Sequence, residues 1–384
     1  MMKTVLLGEI CEAITSGGTP QTSNPKFWGG GIPWLNSGET RQRYIYKTEK
    51  TITEEGVRNS STRKALRGST VIASAGQGKT RGQASYLMND TYINQSIIEL
   101  RPNSKFVDDK FLFYVISSMY ERLRALSDNE SIRGSLTTKI FSNLKIIAPS
   151  LEEQKKISDF LFEIDQKVQS NRQMNQTLEK IGQVLFKHYF IDNPEAKTWP
   201  KKSLDEIAGF LNGAAMQKFP ADNSVNSLPV IKIREMSTGI TDSTDRATTD
   251  IPEKYLVNDE DMLFSWSGTL IVKIWTDGDG ALNQHLFKVT SEIYPQWFYY
   301  LWTKRHLKRF IDTAAGKATT MGHIQRHHLK EAKVSVPSEA ELRALDAIFR
   351  PLHELQIKNS IQTRGLSNLR DSLLPRLISG KIKV

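Results

Sequence analysis

The sequence predicts an α+β protein in which two globular α/β domains alternate with two long helices that pair as an antiparallel coiled coil. Three observations carry this. A helical run from Ser150 to Phe190 recurs over Ser338 to Leu374, shifted by 188 positions. The segments ahead of the two runs repeat each other weakly. Within those segments, short apolar stretches alternate with Gly, Asn and Pro punctuation, as strands do. The predicted order is a domain over 1–149, a long helix over 150–192, a second domain over 193–337, and a second long helix with a tail over 338–384.

In the first globular segment, Ser69 to Ala73 and Ser96 to Leu100 read as strands, and Phe111 to Leu126 reads as a closing helix. In the second, Met262 to Trp266 reads as a strand and Trp297 to Ile311 as the closing helix. The echoes keep their order. Leu7-Gly8-Glu9-Ile10 matches Leu204-Asp205-Glu206-Ile207, Ile32-Pro33-Trp34-Leu35 matches Leu228-Pro229-Val230-Ile231, and Asn94-Gln95-Ser96-Ile97 matches Asn283-Gln284-His285-Leu286. The offset drifts from 197 to 189, as it does when loops of different length sit on a common frame.

Each long helix starts with the same device. Pro149-Ser150 and Pro337-Ser338 are followed by Glu153 and Glu341 at the third helical position, the capping box that satisfies orphan amides. The apolar residues then recur at spacings of 3 and 4, the pattern of a seam between helices. Ile157, Leu161, Ile164, Leu178, Ile181 and Leu185 form it in the first helix, and Leu345, Phe349, Leu352, Leu366, Leu369 and Leu373 in the second. Asn171 and Asn359 coincide as polar members that fix register. About 40 residues at 1.5 Å each make a rod of roughly 60 Å, too long for a core helix of a small domain and stable only against a partner. Pro351 is expected to kink or restart the second helix, and Gly365 to weaken it.

A chain of 384 residues with 39% hydrophobic residues holds two or three domains with real cores. No run approaches 18 apolar residues, and Glu9 and Glu12 interrupt the N-terminal stretch too early for a signal peptide. The single Cys11 excludes an internal disulfide and a cysteine zinc cluster, and suits a reducing cytoplasm, where the protein is expected. The net charge of +10 is uneven. Residues 1–150 hold 20 Lys and Arg against 13 Asp and Glu, while residues 191–335 balance at 18 and 18. In that balanced segment the acids crowd Asp242 to Asp261, and Lys304 to Lys330 carries seven cations against Asp312. Segregated positive charge of this kind fits nucleic acid. It does not fit a membrane, because no basic helix with a broad apolar face is present.

Several patterns bear on chemistry. Ala73 to Thr80 (ASAGQGKT) has the Gly-Lys-Thr of a phosphate loop but Ala73 in place of its first Gly, and Arg81-Gly82-Gln83 opens a helix poorly. A glycine-rich loop that offers Lys79 and Arg81 to nucleic-acid phosphate or a base edge suits it better. His323 and His327 stand at i, i+4 with His328 behind them, but no Glu follows in the zincin pattern and no third ligand is signalled, so no metal is expected. Asp165-Gln166-Lys167 resembles the end of a nuclease carboxylate set, yet sits on a helix without a strand-borne partner and reads as a solvated face. Trp28, Trp34, Trp266, Trp275 and Trp302 read as core, although Trp266 lies on the loop equivalent to that of Lys79. There is neither a glycine-rich cofactor loop joined to a methyltransferase motif nor a recognisable nucleophile.

Three stretches add a resemblance: SGGTPQTSNPKFWGGGIPW (Ser16 to Trp34), PSLEEQKKI (Pro149 to Ile157) and LRDSLLPRLISGKIKV (Leu369 to Val384). With them, the whole chain resembles the specificity subunit of type I restriction-modification systems, with two target-recognition domains alternating with two long helices. The second helix departs from the pattern at Leu342, where the first has Gln154. The resemblance implies a non-catalytic subunit that reads a two-part sequence in double-stranded DNA. It implies as partners modification (methyltransferase) subunits that bring S-adenosylmethionine, with restriction (translocase/endonuclease) subunits optional; this chain itself needs no cofactor. Loop position and charge single out Arg41, Arg43, Lys79, Arg81 and Arg133 in the first domain as DNA contacts. In the second domain they single out Trp266, Lys304, Arg305, Lys317 and Arg326. Two competing readings are an ATP-dependent nucleic-acid enzyme using the Ala73–Thr80 loop, and a helical-spacer adaptor for RNA or protein.

Overall fold

The computed structural model describes residues 3–76, 78–130, 134–221, 226–315 and 322–384. The chain divides into two compact units, Met1–Gln166 with Asn368–Val384, and Lys167–Ser367. Each unit holds one globular domain and a stretch of each long helix.

The domain of the first unit is built on two larger sheets. One is five-stranded, in the order Cys11–Ser16, Ile97–Pro102, Thr70–Ala73, Ala84–Leu87, Tyr44–Ile45. The other is four-stranded, in the order Lys50–Ile52, Trp28–Leu35, Thr91–Ile93, Arg63–Ala65, with its two central strands parallel. The second unit repeats both among the described residues, except that its version of the five-stranded sheet has no counterpart of the Tyr44–Ile45 strand. Gly209–Asn212, Leu286–Thr290, Met262–Ser265 and Val272–Ile274 form one sheet; Arg246–Thr248, Ser227–Ile231, Gly280–Leu282 and Leu256–Val257 form the other, again with a parallel central pair. The echoed tetrapeptides Leu7–Ile10 and Leu204–Ile207 are matching single-turn helices whose Leu and Ile ends are buried. The predicted closing helices are Asp109–Ser118 followed by Tyr120–Glu130, and Gln296–Ala315.

Each domain is closed by its own ends. Lys3–Leu6 pairs antiparallel with Lys145–Ala148, and Lys201–Ser203 with Lys333–Ser335, so the first and last strands meet where the long helix begins. At both starts the capping box forms: Glu153 N donates to Ser150 Oγ at 3.3 Å and Ser150 N to Glu153 at 3.3 Å, with 3.3 and 2.9 Å at Ser338 and Glu341.

The first long helix runs over Leu151–Phe186 and widens into a π turn over Lys187–Asp192. The second runs over Glu339–Ile378 continuously through Pro351, so the helix is not restarted there. Pro351 costs the helix an amide donor, which orphans the Ala347 carbonyl, but both residues are exposed and water can satisfy it, while buried Phe349 and His353 pin the helix on either side. Gly365 likewise stays helical on an exposed face.

Within each unit the two helix stretches run antiparallel. In the first, Ile157 and Leu161 share a core with Leu374 and Leu377. In the second, Asn171 Nδ2 donates to Gln362 Oε1 at 2.8 Å, Asn175 Nδ2 to Ser360 Oγ at 2.9 Å, and Asn359 Nδ2 to Asn175 Oδ1 at 3.0 Å. Both predicted seam asparagines are buried. Ile157, Leu161, Ile164, Leu178, Leu345 and Phe349 are buried as expected, and Leu185, Leu352, Leu366 and Leu373 are half-buried. Ile181 and Leu369 are corrections. These two, equivalent under the 188-residue shift, are 41% and 45% exposed. The buried line passes Leu178, Leu185 and Phe186 on one side of Ile181, because a 3.6-residue turn carries part of a broad apolar pattern out of a narrow contact.

Candidate nucleic-acid interface

Three segments meet at one edge of each domain, and they are the same three. In the first domain, strands Thr70–Ala73 and Ala84–Leu87 form a hairpin, with Ala73 N donating to Gln83 O at 3.0 Å and Gly82 N to Ala73 O at 2.9 Å. Beside its tip lies the Asn94–Ser96 turn, with Ser74 N donating to Ser96 O at 2.8 Å, and then the segment from Gly134, with Leu136 N donating to Ser74 O at 2.8 Å. In the second domain the hairpin joins Met262–Ser265 to Val272–Ile274. Trp266 N donates to His285 O at 3.3 Å, Ile324 N to Trp266 O at 2.9 Å and Gly268 N to Gly322 O at 3.0 Å.

The Gly-Lys-Thr stretch is therefore a hairpin tip. A phosphate loop needs its Lys and Thr at the opening of a helix, where amides and dipole converge on the anion; here the chain returns as an antiparallel strand. The ATP-enzyme reading loses its motif. Gly78 takes φ +65°, and the loop is braced from behind by Tyr120 Oη donating to Lys79 O at 2.8 Å and by Arg124 on Gly78 O. The Lys79 side chain is exposed.

Arg81 is buried instead of exposed. It donates to Gly134 O at 3.1 Å and pairs with Asp128, and a Cβ at Gly134 would lie 2.0 Å from its Nη1. It fastens the hairpin to the neighbouring segment. Arg41 is exposed and pairs at 3.1 Å with exposed Glu49, a contact worth at most about 1 kcal/mol that a phosphate can replace. Arg133 and Lys317 lie outside the described residues.

Arg43 is half-buried and turned to Asp165, and Asp165, which from its helix neighbours alone reads as a solvated face, is a correction. The Asp165 side chain is only 1% exposed. Its Oδ2 accepts from Tyr44 Oη at 2.6 Å, Tyr114 Oη at 2.8 Å and Arg43 Nε at 2.8 Å, and its Oδ1 from Arg370 Nη1 at 2.5 Å. Burial alone would raise its pKa, but the Arg43 and Arg370 guanidiniums more than offset that and hold the carboxyl below the ordinary aspartate value. The stability it contributes is therefore present above the ordinary aspartate pKa and is lost as pH falls through the lowered one. We expect the thermal midpoint to drop on acidification below about pH 4, and to drop less steeply in Asp165→Asn; parallel acid profiles for the two proteins would refute the ionised assignment.

In the second domain, Trp266 is half-buried, its Nε1 donating to Asn212 Oδ1 at 2.8 Å, with the rings of His285, Phe287 and His323 at 5.6, 6.0 and 6.5 Å. Ser267 Oγ lies 3.1 Å from His285 Nδ1. Arg326 is exposed, packs over the Phe287 ring at 5.8 Å and donates to Phe210 O at 3.2 Å. Lys304 does not belong to this edge: it turns to the long helix and pairs with Glu179. Arg305 is exposed on the same Gln296–Ala315 helix. The histidines do not form the predicted helical pair, because the helix covers only Arg326–Glu331 and His323 bridges to Ser267 ahead of it. Among the described residues no cluster of His, Cys, Asp and Glu could hold a metal, and no helix is long and apolar enough to cross a membrane.

Sequence reasoning singles out His323 but misses Gln95, Gln284, His285 and Asn212, which also lie at these edges. A signal existed for three of them in the repeated Asn-Gln of Asn94–Ile97 and Asn283–Leu286, whose Asn side chains hold the turns at 3.1 and 3.3 Å.

The family model described as type I restriction modification DNA specificity domain matches twice, over residues 1–180 and 196–363. The chain belongs to that family. Each match takes one globular domain and most of the helix after it. Among relatives of this specificity family, the chain is 27% identical to the type I restriction enzyme MjaIX specificity subunit of Methanocaldococcus jannaschii, over 97% of this chain and 91% of that protein. It is 21% identical to the HindI specificity subunit of Haemophilus influenzae, over 78% and 84%. The crystal structure of the S subunit of a type I restriction-modification system from M. genitalium has the same fold, with a TM-score of 0.63 at 14% identity over 98% of this chain and 96% of that one. The resemblance carried by the three sequence motifs is borne out, and the chain is a DNA-specificity protein of a type I restriction-modification system.

Proposed function

We propose that the chain is the non-catalytic reader of a bipartite DNA target. Each domain contacts one half-site through its three-segment edge, and the long helices serve as a spacer that carries methyltransferase subunits. The observation that most supports this is the repetition of the edge: hairpin tip, Asn turn and following segment recur in both domains with the same backbone bonds but different side chains. One frame with two sets of loops suits two different half-sites. Lys79 in the first domain, and Trp266 and Arg326 in the second, are the proposed DNA contacts on these edges, with exposed Arg41 and Arg305 beyond the edges as further cations for phosphate. S-adenosylmethionine belongs to the modification subunits in this reading, and restriction subunits join the same complex where the system has them.

The test is a methylation map of DNA exposed to this chain together with a type I modification subunit. A two-part motif with a fixed gap is expected, and the chain alone, given S-adenosylmethionine, should transfer no methyl group. A continuous motif would overturn the bipartite reading, and methyl transfer by the chain alone would overturn the non-catalytic one.

A further inference from the structure

The carboxylate of Asp165 joins three parts of the first unit that are far apart in sequence. Arg43, Tyr44 and Tyr114 come from the globular domain, Asp165 from the first long helix, and Arg370 from the second. The two tyrosine hydroxyls lie 3.0 Å apart, and the Arg43 guanidinium covers the rings of Phe113 and Tyr114 at 4.8 and 5.2 Å. Arg43 is the cation by which the domain is ionically tied to this carboxylate. Nonpolar packing between domain and helices resists separation but is non-directional, whereas these bonds fix an angle. Nearer the start of the first helix, Lys110 on Asp159 at 2.8 Å, Ser158 on Asp108 at 2.7 Å and Asp108 N on Gln154 at 3.0 Å hold one end, and the Asp165 cluster adds the contact that also reaches the second helix.

The second unit does not repeat the device at these positions; its domain is tied to the helices elsewhere, by Arg364 on Asp259 at 2.6 Å and by Lys304 on Glu179. The residue 188 positions after Asp165 is His353, buried against the Tyr300 ring and 2.9 Å from Gln296, and burial lowers its pKa to about 4, so it is neutral. At the position related to Arg370 stands Gly182, which can make no ion pair.

We propose that Arg43, acting through Asp165, is a positioning residue for target recognition: it sets the angle at which the first domain is held on its own helix stretches, and so which gap length the complex accepts. This rests on the bipartite reading above. Arg43 does not itself contact DNA in this account. Replacing it by Met keeps the stem over Phe113 and leaves Asp165 neutralised by Arg370, so no carboxylate is left buried and unpaired. Freed in angle, the first domain can meet its half-site one base pair nearer or farther.

The experiment compares the wild-type and Arg43→Met complexes with a modification subunit on DNA targets whose gap is natural, one pair shorter or one pair longer. Methylation of the two altered targets should rise about tenfold over wild type, with both half-site sequences unchanged. The salt dependence of binding should keep its slope, because no phosphate contact is removed. Arg43→Lys, which can still pair with Asp165, should return the gap preference toward wild type. A single gap length kept by Arg43→Met, or a slope of log affinity against log salt reduced by about 1, would overturn the proposal and return Arg43 to the DNA contacts. Should Arg43→Met fail to accumulate, Tyr114→Phe, which deletes one bond to Asp165 and keeps the ring, is read by the same two outcomes. If wild type itself gives no two-part motif, the functional reading fails; if it does and the variant keeps its gap, only the positioning role fails.

Discussion

Replacing Phe349 with Ala is expected to destabilise the second unit by about 3–5 kcal/mol, the cost typical of deleting a fully buried phenyl ring. Phe349 is 2% exposed, stacks on Trp297 with centroids 4.4 Å apart and planes 11° from parallel, and lies 6.2 Å from Phe190. The ring therefore touches both the second domain's closing helix and the π turn that ends the first long helix. Neighbours held on separate helices cannot close on the void together, which puts the cost toward the upper end of the range. Urea unfolding measures it directly. A midpoint that moves by less than about 0.5 kcal/mol equivalent would mean that the phenyl contributes no more than an exposed side chain.

The features that were legible before the structure are those encoded locally or twice. Ser150 with Glu153 and Ser338 with Glu341 mark helix starts within four residues, and Leu7–Ile10 with Leu204–Ile207 mark matching turns without any knowledge of the sheets. Repetition then extended single guesses into an architecture. What could not be read depends on partners distant in sequence. Asp165 finds Tyr44 and Arg43 more than 120 positions upstream and Arg370 more than 200 downstream, so its helix neighbours Gln166 and Lys167 gave the misleading picture of a wet face. Arg81 and Lys304 are the same case, since a cation counted toward a basic patch is removed from it by one nonlocal carboxylate, Asp128 or Glu179. The Gly-Lys-Thr tip shows the limit of motif reading, because its chemistry depends on whether a helix or a strand comes next, and Ala84–Leu87 is a strand.

Exchanging residues 1–149 for the corresponding domain of another family member should replace one half of the recognised motif completely and leave the other half unchanged. The fold gives this exchange a natural boundary. Lys3–Leu6 and Lys145–Ala148 are paired, so the domain closes before Ser150 caps the helix, and the cut severs no strand ladder. Two sets of contacts must survive the graft. The incoming domain has to present apolar residues where Phe113 and Ile146 share a core with Ile157, Leu161, Leu374 and Leu377, because exposing that surface costs about 25 cal/mol per Å². It also has to offer an Arg and hydroxyls to Asp165, or the host helix is left with a carboxylate facing Arg370 alone. A donor lacking the counterpart of Arg43 should therefore change the half-site and loosen the gap together, while a donor that has it should change the half-site only. Methylation mapping of both chimaeras separates these results. A change in the second half-site in either chimaera would mean that the domains do not read independently, and that the repeated edge is not the reading surface.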